Sequence, residues 1–201
     1  MIMNSKPKRI FDFIFSLLGI IILSPFFVSI SLLIIFTNGF PVFYLQKRVG
    51  RNNEEFNVFK FRTMKKDADK KGLLTIGGRD SRITAIGYYL RKYKMDELPQ
   101  LFNVLLGSMS LVGPRPEVRK YVDLYNKAQK KVLSVKPGIT DYASLEYFNE
   151  SELLAKSSNH EETYINQIMP AKLELNKKYI SEAGVRTDLK IIFKTIRRIF
   201  K

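Results

Sequence analysis

Apolar and polar positions are unevenly divided along the chain. From Ile10 to Phe36 a single charge, Asp12, interrupts 27 residues, and no later stretch is comparable. A straight helix of that length covers about 40 Å, more than the ~30 Å hydrocarbon core of a bilayer. Ser24-Pro25 sits in its middle. Proline lacks the backbone donor and crowds the preceding turn, so a kink or break is expected there. Each half is then about 20 Å long, too short to cross alone. Lys6, Lys8 and Arg9 precede the segment, and Lys47, Arg48 and Arg51 follow it. Basic flanks stay on the cytoplasmic side, and one crossing cannot keep both there. A re-entrant hairpin reversing at Ser24 and Pro25 can. Residues 1–40 are therefore expected to form a monotopic anchor; a kinked spanning helix is the alternative. No small-residue cleavage site follows, so a secretory signal fits poorly.

Beyond the anchor the periodicity changes. "PVFYLQKRVG" (41–50) and "EFNVFKFRTM" (55–64) alternate as two short strands of a hairpin. Residues 65–82 are charged and glycine-bearing, hence a surface loop. Ile83, Ile86, Leu90 and Tyr93 recur at helical spacing. A second helix is expected from Asp96 to Leu106, with Pro99 in its first turn. "SLVGPRPE" (110–117) and "VKPGIT" (135–140) read as turns. Helices are expected over Val118–Leu133, Leu145–Ala155 and Ile165–Ile180. The final stretch, 186–201, sets Leu189, Ile192, Phe193, Ile196, Ile199 and Phe200 on one face, with six basic residues against one acid elsewhere. That is the pattern of an interfacial amphipathic helix, and equally of a core-packing one. The expected class is α+β and mostly helical: the anchor, then one catalytic domain over 41–201 with a short β-hairpin and interfacial helices.

Composition narrows the chemistry. The chain has 201 residues, no cysteine, one histidine and a net charge of +15. Thiolate metal sites, cysteine nucleophiles and multi-histidine sites are excluded. His160 lies in a polar run and reads as a surface residue. The positive surplus favours anionic partners: nucleic acid, acidic lipid or phosphorylated substrates. No recognition-helix, RNP or zinc pattern points to nucleic acid.

Candidate chemistry centres on Asp96-Glu97, at an expected helix start. The helix dipole favours a carboxylate there by about 0.3–1 kcal/mol, which would keep it ionised as a nucleophile or magnesium ligand. A plain N-cap is the commoner use of such a residue. Around the dyad stand Arg91, Arg115 between Pro114 and Pro116, and Lys60 and Arg62 two apart on the second strand. Cations around an acidic pair, in a membrane-held chain, suggest a metal-assisted site for a phosphorylated substrate.

"KFRTM" (60–64), "MDELPQLFNVLLGSMSLVGPRP" (95–116) and "KPGIT" (136–140) resemble the bacterial sugar transferases, the small monotopic phosphoglycosyl transferases. With the Ser-Pro anchor and the closing "DLKIIFKTI", the resemblance covers almost the whole chain. It implies transfer of a phosphosugar from a UDP-sugar to polyprenol phosphate at the cytoplasmic face of the bacterial inner membrane, with release of UMP. It further implies Asp96 as covalent nucleophile, Glu97 as its partner in Mg2+ or proton handling, and Arg91, Arg115 and Lys60 as phosphate-holding groups. Two departures stand out. "DYASLEYFNE" (141–150) replaces the usual G-W-A-Q continuation, and Asn176 replaces the acid three before Tyr179. Larger relatives carry extra membrane helices, so this chain is expected to be the minimal form. The rival readings are a membrane-tethered basic protein binding nucleic acid or acidic lipid, and a catalytically silent scaffold. No sequence feature sets an oligomeric state.

Overall fold

The computed structural model describes residues 6–68, 72–77 and 80–200. The chain begins with one helix, α1 (Lys6–Asn38), followed by an antiparallel hairpin of β1 (Phe43–Val49) and β2 (Glu55–Phe61). Then come α2 (Ala85–Lys92), a 3-10 turn (Met95–Glu97), α3 (Gln100–Leu106) and β3 (Ser110–Val112). After α4 (Arg119–Val122), β4 (Gly138–Thr140) pairs parallel with β3. Helices α5 (Tyr142–Glu146), α6 (Glu150–Ala155), α7 (His160–Thr163), α8 (Met169–Glu182) and α9 (Val185–Ile199) complete a mostly helical structure.

Helix α1 runs through Pro25 without interruption, so Ser24 and Pro25 do not reverse the chain by a non-helical turn. The reason is local. Proline cannot donate to Ile21 O, and Ser24 Oγ donates to that carbonyl instead, at 2.8 Å. Ser29 and Ser31 likewise bond back one turn. The helix is long and apolar enough to cross a membrane by length and composition, and most of its surface is exposed.

Both ends of α1 dock on the same body. At the start, the Lys8 ammonium meets the Asp188 carboxylate on α9 at 2.6 Å, Arg9 donates to the Val104 and Leu105 carbonyls of α3, and Asp12 accepts Leu111 N–H at 3.1 Å. At the other end, Phe27, Ile30 and Ile34 pack on Phe61 and Leu90. Asn38 donates to Thr84. The opposite face exposes Ile14, Leu18, Ile22 and Phe36.

Three elements differ from the periodicity. The helix expected over Val118–Leu133 is α4, a turn and a 3-10 segment, because Asn126 and Gln129 exchange side-chain bonds with each other's backbone N–H and offer it an alternative to the helical ladder. The helix expected over Leu145–Ala155 is split into α5 and α6. The two expected turns contain β3 and β4, which pair over a distance in sequence that local pattern does not carry. A Cβ on Gly138 would stand 2.0 Å from Gly113 N, so this crossing requires glycine. Of the loop expected over 65–82, residues 69–71 and 78–79 lie outside the described residues. On α9, Leu189, Phe193, Ile196 and Phe200 remain exposed, as an interfacial helix would leave them.

The Lys8–Asp188 pair is almost wholly buried. Removing one partner of such a pair costs about 3–5 kcal/mol, because the other charge is left uncompensated. Lys8→Met should lower the melting temperature in detergent by that mechanism. Lys8→Met/Asp188→Leu should recover most of the loss; a double variant as unstable as the single would remove the charge pair as the cause.

Candidate active site

A cleft of about 1500 Å3 opens between the hairpin, the 3-10 turn, α5, α6 and α9. Its acidic floor is the turn Met95–Glu97. Met95 and Leu98 pack into the cluster around Phe61 and Leu90, so the intervening Asp96 and Glu97 line the cleft. Asn103 on α3 fixes that turn against β2: its Oδ1 accepts Phe59 N–H at 2.9 Å and its Nδ2 donates to Asn57 O at 2.8 Å. This bonding brings Lys60 on β2 to 3.8 Å from Glu97 Oε1.

Arg115 enters from the Pro114–Pro116 segment. Its guanidinium grips Glu97 with both terminal nitrogens, Nη1 to Oε2 at 3.0 Å and Nη2 to Oε1. Its backbone N–H donates to Asp141 Oδ2 at 3.3 Å, and Asp141 Oδ1 also caps α5 through Ser144 N–H. Arg91 lines the cleft and donates to Thr75 Oγ1 at 2.8 Å. Asp96, Glu97, Lys60, Arg91 and Arg115 are thus brought together. Arg62 also lines the cleft, but its terminal nitrogens are engaged by backbone. Its guanidinium donates to the carbonyls of Asn38, Gly39 and Phe40, closing the end of α1. Residue 62 follows the last strand position, so the two-residue spacing from Lys60 no longer fixes its direction. His160 bonds Leu154 O through Nδ1 and does not line the cleft.

The two carboxyls are electrostatically unequal. Burial alone would raise Glu97, but Arg115 and Lys60 outweigh it and hold its carboxyl well below the usual range. Asp96 has no hydrogen-bond partner among the described residues. Burial, then the neighbouring Glu97 charge, pushes its carboxyl up, with Lys60, Arg91 and Lys94 opposing. The expected helix dipole is not what acts on Asp96: α3 starts four residues later, at Gln100, and burial moves the carboxyl in the opposite direction. Burial also brings Lys60 down to about 8, with Glu97 opposing and Arg115 and Arg48 assisting.

Sequence reasoning did not single out several groups here. Arg48 Nη1 donates to Glu117 Oε1 at 2.8 Å, and the Tyr164 hydroxyl donates to Glu117 Oε2. Glu117 ends the quoted "SLVGPRPE", which was its available signal; Asp141 directly follows "KPGIT". Lys94, in left-handed backbone (φ 54°, ψ 20°) just before the dyad, carried no signal.

The bacterial sugar transferase profile matches residues 3–201 of this chain. The chain belongs to the bacterial sugar transferase family. Among curated relatives, it is 35% identical over 195 residues to the UDP-N-acetylgalactosamine-undecaprenyl-phosphate N-acetylgalactosaminephosphotransferase of Aeromonas hydrophila, covering 96% of this chain and 43% of the relative. It is 33% identical over 201 residues to the UDP-glucose:undecaprenyl-phosphate glucose-1-phosphate transferase of Escherichia coli K12, covering 98% and 41%. It is 32% identical over 208 residues to the exopolysaccharide production protein ExoY of Rhizobium meliloti, covering 96% and 85%. The chain therefore spans less than half the length of the first two and most of the third. In this family member, the diagnostic segments 95–116 and 136–140 meet physically, at Gly113–Gly138 and at the Arg115–Glu97 fork.

The raised Asp96 carboxyl has a sign that can be tested. A carboxyl whose folded value lies above its unfolded one destabilises the fold once it ionises. The loss develops as pH rises from the unfolded value near 3.8 through the folded one. Asp96→Asn should therefore raise the melting temperature at pH 7, and the gain should vanish below about pH 4. A variant no more stable than wild type at pH 7 would refute the unfavourable burial of this charge.

Proposed function

We propose that this protein transfers a phosphosugar from a UDP-sugar to polyprenol phosphate, releasing UMP, as a membrane step of bacterial glycan assembly. The observation that carries this reading is the unequal dyad. Asp96 presents unengaged carboxylate oxygens to a cleft ringed by Lys60, Arg91 and Arg115, while Glu97 is held as the counter-ion of Arg115. The activities named for two relatives, each on a UDP-sugar and undecaprenyl phosphate, support the donor and acceptor.

In this reading an Asp96 oxygen attacks the sugar-linked phosphorus. The bond from that phosphorus to UMP breaks, and UMP leaves with the electron pair. The acceptor phosphate then attacks the same phosphorus, the bond to Asp96 breaks, and the carboxylate is regenerated. Dividing the transfer lets two mutually repelling phosphate substrates react in turn. Lys60, Arg91 and Arg115 offset the charge that builds on the transferring group. Magnesium sites in phosphoryl transfer use one or two carboxylates, with substrate phosphates and water completing the shell. Adjacent Asp96 and Glu97 meet that requirement, and Arg115 leaves Asp96 as the carboxylate with open oxygens. Bound there, the ion would neutralise the diphosphate. No group of three acidic or histidine side chains stands elsewhere among the described residues as a competing site.

We place the chain on the cytoplasmic leaflet, with α1 re-entrant. Support comes from the docking of both ends of α1 on one body, together with basic residues at each end. Proline at position 25 is where α1 would bend.

Asp96→Asn keeps the size of the side chain and removes the nucleophile. UMP release should fall by several orders of magnitude, and the wild type incubated with donor alone should give a UMP burst and a phosphosugar mass adduct on Asp96. Near-normal turnover by the variant would end the covalent reading. For topology, the absence of native cysteine allows single-site labelling. Cysteines at Pro7 and Glu54 should both be shielded from an impermeant periplasmic reagent. Labelling at Pro7 alone would show a spanning helix.

A further inference from the structure

One wall of the cleft is left unused by the chemistry at Asp96. Phe148 belongs to the segment 141–150 in which this chain departs from its family's usual continuation. Two cations flank its ring: Lys94 Nζ lies 4.9 Å from the centroid and Arg198 Cζ 5.6 Å. All three residues line the cleft. Neither cation has an acidic partner within ion-pair distance among the described residues, although acids pair with Arg48, Lys60, Arg115 and Lys172 nearby.

Lys94 immediately precedes the dyad turn and is held with φ 54° and ψ 20°. Residues other than glycine adopt that region sparingly, and such conformers gather where ligands are held. Its charge is close enough to be felt by both Asp96 and Glu97. Arg198 stands on the last turn of α9. Contact with the aromatic ring restrains two long side chains that would otherwise lose much freedom on binding an anion.

The same cleft is also lined by apolar residues of α1 and α9, Phe15, Gly19, Leu23, Ile192 and Ile196, and by Leu101 of α3. Both helices also carry exposed apolar side chains suited to lipid: Leu18 and Ile22 on α1, Leu189 and Phe193 on α9. One cleft therefore holds an anion-attracting pair and apolar lining from two lipid-compatible helices. This suits an amphiphile with a phosphate head and a hydrocarbon tail.

We infer that Lys94 and Arg198, both held over the Phe148 ring, bind the phosphate of the lipid acceptor, and that the apolar lining contributed by α1 and α9 receives the first part of its chain. The inference rests on the transferase reading above and adds the seat of the second substrate. It places the acceptor oxygen beside Asp96, where the phosphorus-to-Asp96 bond is broken.

The test compares KM for polyprenyl phosphate with KM for the UDP-sugar in detergent micelles. Lys94→Asn keeps a residue tolerant of the left-handed backbone, and Arg198→Gln removes the other charge. Each should raise the acceptor KM about tenfold, while the donor KM moves less than about twofold. Lys194→Gln, an exposed α9 cation outside the cleft wall, is the control and should move neither. A rise in donor KM equal to that of the acceptor would assign the pair to the nucleotide and overturn the inference. An unchanged acceptor KM would show two solvated cations and overturn it equally. Inorganic phosphate should compete weakly and to the same extent in wild type and Arg198→Gln. Strong competition lost in the variant would make this a site for free phosphate instead. A wild type that gives no UMP burst would sink the transferase reading itself, a result distinct from any of these.

Discussion

The junction at Lys8 constrains the rest of the molecule. Its ammonium is buried between Asp12, one turn on in α1, and Asp188 at the first turn of α9. Asp188 also accepts the Tyr179 hydroxyl at 2.6 Å, which sits 3.0 Å from Val112 O. Asp12 holds the backbone of Leu111. Four elements, α1, α8, α9 and β3, meet on one set of charges. Isolated, none of these groups could be buried; together they satisfy one another. Strand β3 leads through Gly113 and Pro114 into Arg115, so the seat of the apolar helix and the position of the arginine that grips Glu97 derive from the same contacts.

The cleft applies the same logic to a different end. There the charges are not balanced one to one. Arg115 and Lys60 both favour Glu97, and Asp96 is left with burial and a like charge beside it. A group held above its preferred ionisation is one that gains by binding a cation-bearing ligand or by forming a bond. The asymmetry arises because the Arg115 fork fits only one carboxylate, and the proline on either side leaves the arginine little freedom to share itself.

Much of this was legible in the sequence where local pattern decides the outcome. The β1–β2 hairpin followed from alternation, and α9 from its apolar stripe, with Leu189, Phe193, Ile196 and Phe200 exposed. The dyad and Arg115 were found from residue type and spacing. Contacts between distant residues were not legible. Nothing near Lys8 announces a partner 180 positions away. Arg62 looked like a second strand cation, yet the open carbonyls at the end of α1 claim it. The direction in which Asp96 is shifted was not legible, because a dipole argument considers one short helix, whereas burial depends on everything packed around the turn. The pairing of β3 with β4 depends on two glycines whose backbones nearly touch, a contact that neither quoted turn reveals alone.

The exposed apolar sides of α1 and α9 have a consequence for how encounter is counted. A body resting on a bilayer through these two faces would have lost most of its tumbling and would drift in a plane. On the proposed reading, a water-soluble donor would arrive from three dimensions, and a lipid acceptor from two. The abundance that governs the second encounter would then be molecules per area of leaflet. Diluting the membrane with inert lipid would starve the reaction, whereas diluting the whole suspension with buffer would leave that encounter untouched.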